Sequence, residues 1–208
     1  MAYATAAFTS ANGTTAVVGT SLPSSSSAQQ VSTIPAASLV SGDLHTFTGF
    51  AGALVGQTMP SARTTTLITS SNSDPTLTLG PDLNAPSVST FGLQGGVVRV
   101  RSAFTIQSQY NSMWLLNYSQ SSGGTTRNVT ITVSGAYQAQ INASQFGNNM
   151  PDFSAVPGWQ ATWGLQNNVL INWMVIGYGW SLGSGLGQPA LDGTVILSAF
   201  KSGSYTPP

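Results

Sequence analysis

Residues 128–142, NVTITVSGAYQAQIN, alternate apolar and polar side chains. Val129, Ile131, Val133, Tyr137, Ala139 and Ile141 take the odd positions, and Thr130, Thr132, Ser134, Gln138 and Gln140 the even ones. A period of two is the mark of a strand with one face on a core, and Val, Ile, Thr and Tyr suit a pleated surface. The pattern predicts one long strand, odd positions inward, with Gly135 marking a bend or bulge. A second alternation runs over 97–106, with Val98, Val100, Phe104 and Ile106 on one face and Arg99, Arg101, Ala103 and Thr105 on the other. Residues 113–118 and 168–180 are apolar on both faces and read as covered strands.

Shorter strands are expected at 2–8 and 15–18 around an Asn12-Gly13 turn, and at 44–50, 64–69, 76–79 and 194–201. Turn chemistry separates them at Ser71–Pro75, Gly80-Pro81-Asp82, Ser121–Gly124 and Asp192-Gly193. Gly183, Gly185 and Gly187 ahead of Pro189 read as a loop. The stretch 143–166 reads as irregular, with a helical turn at 143–146. This predicts an all-β antiparallel sandwich, a single jelly roll of about eight to ten strands. Residues 1–42 are expected to form an N-terminal arm carrying the first short strands, and 43–208 one sandwich domain.

Composition sharpens the picture. Charged residues make up 5% of the 208 residues: five Asp, four Arg, Lys201 and no Glu. Ordinary domains are about a quarter charged. The loss of Glu and Lys removes strong helix formers, while 41% hydrophobic residues and five Trp predict a packed core rather than disorder. Cysteine is absent, which removes disulfides, Cys-zinc sites and thiol chemistry from consideration. No apolar run reaches the length of a transmembrane helix, and the opening MAYATAAFTS lacks the basic and apolar regions of a secretory signal.

Candidate chemistry is sparse. His45 is the single histidine, and Asp43 two residues away would neighbour it on one strand face without forming an oriented triad. Asp74, Asp82, Asp152 and Asp192 adjoin Pro or Gly and read as turn residues rather than a catalytic carboxylate pair. Gly177, Gly179, Gly183 and Gly185 lack the spacing of a dinucleotide loop. No enzyme, cofactor or metal site is expected. Arg99, Arg101 and Arg127 form the only candidate basic cluster, too small to drive binding of nucleic acid. Trp159, Trp163 and Trp180 on loops are candidates for stacking on sugar rings. Asn12, Asn117, Asn128 and Asn142 stand in N-x-[ST] sequons.

Sheet edges are normally blunted by Lys and Pro, and apolar strands are flanked by charged gatekeepers. A chain with one Lys and no Glu is expected to have its edges covered by other subunits. The expected function is therefore non-enzymatic: a structural subunit of a large symmetric assembly, with copies of itself and other assembly proteins as partners. In size and strand count the chain resembles single jelly-roll virion proteins, which implies a capsid shell, decoration or spike role and a virion location. The alternatives are an extracellular or cell-surface filament subunit assembled by donor-strand exchange, and a glycan-binding sandwich module that takes a host surface glycan.

Overall fold

A computed structural model describes residues 1–56, 58–71, 73–94, 97–142, 144–182 and 191–208. Among them the chain is an all-β sandwich with 53% of residues in strands and 8% in helices. The strands are β1 (Ala2–Thr9), β2 (Thr15–Thr20), β3 (Leu44–Val55), β4 (Thr58–Thr69), β5 (Ser87–Gln94), β6 (Val97–Thr105), β7 (Met113–Ser122), β8 (Thr125–Ser134), β9 (Gln145–Asn149), β10 (Ile171–Trp180) and β11 (Thr194–Tyr205). Eight of them form one sheet in the order β2-β1-β3-β4-β11-β10-β7-β8, and β5-β6-β9 form a three-stranded sheet. Two compact units divide the chain: Met1–Asp82 with Tyr178–Ala199, and Leu83–Gly177 with Phe200–Pro208.

In the first unit β1 lies between β2 and β3, antiparallel to both, and β3 pairs with β4 in register His45↔Thr69 to Ala53↔Ser61. The turn between β1 and β2 is the expected Asn12-Gly13, with Gly13 at φ +87°. Residues 73–82 form no strand; the expected strand at 76–79 is absent. Their backbone is instead spent on side chains of the neighbouring sheet. Thr65 Oγ1 donates to Thr78 O at 2.8 Å and Arg63 Nη1 to Gly80 O at 3.3 Å. Leu77 sits over Gly49, 3.3 Å from where a Cβ would stand.

The second unit has a core of its own. Val98, Val100 and Phe104 of β6 are buried, as are Trp114, Leu116 and Tyr118 of β7. Phe146 of β9 stacks on Phe104 at 4.6 Å and tilts against Trp114 at 5.3 Å between ring centroids. Each such fully buried side chain stabilises the fold by about 2–3 kcal/mol. Within this core Ser102 Oγ and Tyr118 Oη share a buried hydrogen bond at 2.7 Å. Burial pushes the Tyr118 phenol up to about 12.

Residues 128–142 are not one strand. β8 ends at Ser134, and Gly135–Ile141 form the helix α1. Ser134 Oγ caps it by accepting from Tyr137 N at 3.2 Å, which satisfies one of the free N–H groups of a helix start. The expected helical turn at 143–146 is displaced: the helix comes earlier, and Gln145 and Phe146 belong to β9. The predicted inward facing of β8 is observed, with Val133 buried, Val129 and Ile131 half-buried, and Asn128, Thr130, Thr132 and Ser134 exposed.

Candidate functional site

The irregular segment between β9 and β10 carries a cluster of aromatic side chains. A short 3-10 turn at Ala161–Trp163 follows Gly158, whose φ of +83° lets the chain reverse. The reversal sets Trp159 edge-on to Trp163 at 5.8 Å and tilted on Phe153 at 5.3 Å. Trp163 remains 55% exposed. The segment is pinned from below by the fully buried Gln120. Its amide donates to Gln166 O at 2.9 Å and Val169 O at 3.0 Å, and its Oε1 accepts from Gln166 N at 2.7 Å. Arg127 Nε adds a bond to Thr162 O at 2.8 Å. Val97 packs where a Cβ on Gly164 would lie.

Around this shelf the polar groups are used structurally. Arg99 Nε donates to Met150 O at 2.9 Å, and its guanidinium lies over the Phe91 ring at 5.1 Å, a cation–π geometry. The Asp152 carboxylate is held below its usual range by the hydrogen bonds of Ser154, with a smaller contribution from Arg99. Arg101 is exposed on the next outward position of β6. Trp180 closes β10 in the other compact unit. Of the three candidate sugar-stacking residues, Trp159 and Trp163 are thus brought together. Phe153 completes the cluster, and its position six residues before Trp159 carries no periodic signal in the sequence.

His45 is 1% exposed, between Phe8 and Phe47 at ring-centroid distances of 5.7 and 5.8 Å. Its sequence neighbour Asp43 does not orient it. The Asp43 carboxylate instead accepts from Ala11 N and Val40 N, both at 2.9 Å, and so fastens the β1–β2 turn to the chain entering β3. Neither His45 ring nitrogen has a hydrogen-bond partner among the described residues. A buried unpaired polar group costs about 1–3 kcal/mol, and an apolar group of the same shape removes that cost. His45→Phe is therefore expected to raise the thermal midpoint by several degrees, read by calorimetry or circular dichroism.

Asp192 and Asp82 are likewise engaged with neighbouring residues. Asp192 accepts from Ser70 N at 2.8 Å and Ser70 Oγ at 2.6 Å, and these bonds hold its carboxyl below the usual range. Asp82 lies 3.8 Å from Arg63. Among the described residues no three His, Cys, Asp or Glu side chains converge as a metal site would require, and no helix is long and apolar enough to cross a membrane. The glycine loop expected at Gly183, Gly185 and Gly187 lies outside the described residues. Of the sequon asparagines, Asn12, Asn128 and Asn142 are exposed. Asn117 is half-buried on β7, with its amide nitrogen donating to Thr130 Oγ1 at 2.9 Å. The chain matches no family model, no curated protein and no solved structure.

Proposed function

We propose that the chain is a non-enzymatic structural subunit of a large symmetric assembly, with a virion shell, decoration or spike as its setting. One observation carries this reading: the unguarded ends of the large sheet. The strands that close its order are β2 and β8. Between them, TAVVGT and TTRNVTITVS contain one charged residue, Arg127, and no Lys or Pro, the residues that keep a solitary edge from pairing with another chain. Val17 on β2 is 71% exposed and Leu22 just beyond it 85% exposed, which adds apolar surface for a neighbour to cover. A surface of low charge also permits close packing of many copies without self-repulsion.

The filament reading draws less support. A donor strand has to be free, and β1 is flanked on both sides by strands of its own chain. The glycan-binding reading is favoured by the Phe153–Trp159–Trp163 cluster. Size-exclusion chromatography with light scattering, followed by electron microscopy, tests the proposal. The purified chain is expected to form closed, symmetric particles or rings. A monomer at all concentrations, with glycan binding lost in Trp163→Ala, would replace it with the module reading.

A further inference from the structure

The backbone register of β8 specifies which surface two copies would share. β7 and β8 pair antiparallel from Met113↔Ser134 to Ser122↔Thr125, and the ladder continues with Gly135 N donating to Ser112 O at 2.8 Å. Hydrogen-bonded and non-bonded pairs alternate along an antiparallel ladder. Counting back from Gly135, the residues that exchange bonds with β7 are Val133, Ile131 and Val129. Asn128, Thr130 and Thr132 therefore turn their N–H and C=O groups away from β7, and among the described residues no strand follows β8 in the sheet order. The free edge has a polar outer face of exposed Thr and Asn side chains and an inner row, Val129 and Ile131, that is only half-buried. Beside it α1 exposes Tyr137 at 56% and Ile141 at 58%. Arg127, the single charge on the strand, is tied back to Thr162 O.

This edge complements itself. We infer that β8 is a homotypic pairing surface, on which a second copy of this chain adds its own β8 antiparallel about a two-fold axis at Thr130. In that register Thr130 exchanges bonds with Thr130 of the partner subunit, and Asn128 with the partner's Thr132, so the outward backbone groups are satisfied. Val129 falls opposite the partner's Ile131 in a non-bonded pair, where side chains approach most closely, and the half-buried row is covered. No like charges meet. The contact is isologous and closes as a dimer, a building block for the assembly proposed above, on which this inference rests.

Thr130 is the one residue that faces itself, so charge at that site reports the axis. Thr130→Pro removes an outward N–H and spares the β7–β8 ladder, a placement in which edge strands accept proline. It is expected to weaken association roughly ten- to hundredfold in analytical ultracentrifugation. Thr130→Lys and Thr130→Asp are each expected to self-associate more weakly than the parent, and an equimolar mixture of the two to recover association, because opposite charges then meet across the axis. A parent that assembles while Thr130→Pro assembles equally well would overturn the β8 surface and leave the assembly reading standing. Lys and Asp variants that do not recover on mixing would overturn the two-fold at Thr130. A parent that stays monomeric would remove the assembly reading and this surface together.

Discussion

Gly135→Ala is expected to destabilise the protein by about 3 kcal/mol, although it places the best helix former in the first turn of a helix. Helix propensity alone would favour alanine by about 1 kcal/mol. Packing opposes it more strongly. A Cβ at this position would collide with the carbonyl oxygen of Asn111 and stand 3.0 Å from both Asn111 C and Ser112 O. These are backbone atoms, and Gly135 N already bonds Ser112 O at 2.8 Å, so relief requires the chain entering β7 and the start of α1 to separate. A fall of about 10 °C in thermal midpoint is expected for a chain of this size, while Gln140→Ala, on an exposed position of the same helix, should leave it nearly unchanged. An unchanged or higher midpoint for Gly135→Ala would mean that the β8-to-α1 corner has room that the packing denies.

That corner also shows where the sequence was legible and where it was not. Alternation from 128 to 134 reports a true strand face, because each residue there is β-branched or small and polar apart from Asn128. From Gly135 to Gln140 no residue is β-branched, and the apparent alternation of Tyr137, Ala139 and Ile141 arises on a helix. Ser134 as a cap was the available signal. β5 is not legible in the sequence for a different reason. Its pairing with β6 shifts register between Thr90 and Gly92, so no period of two survives in SVSTFGLQ. The far ends of β3 and β4 are Ala- and Gly-rich or contain Pro60, and their strand form comes from pairing with each other rather than from their own residues. The aromatic shelf was half legible: Trp159 and Trp163 were candidates by type, whereas their convergence depends on the Gly158 reversal and the buried Gln120, both tertiary facts.

The position of β8 at the end of the sheet makes the tolerance of its inward residues graded. Val133→Asp is expected to unfold the protein or cost about 4 kcal/mol or more, because Val133 is 4% exposed and pairs with the 1% exposed Trp114, so a carboxylate there is buried without a partner. Ile131→Asp should cost less, since its half-buried side chain lets the charge reach water along the open edge. Thr132→Asp, exposed on the outer face, should change monomer stability by under about 1 kcal/mol. Urea titrations of the three variants measure the order. Equal, severe losses at positions 131 and 133 would mean that β8 is covered within the chain and is not an edge. A larger loss for Thr132→Asp than for Val133→Asp would reverse the facing on which both the core of the second unit and the pairing of β8 about Thr130 depend.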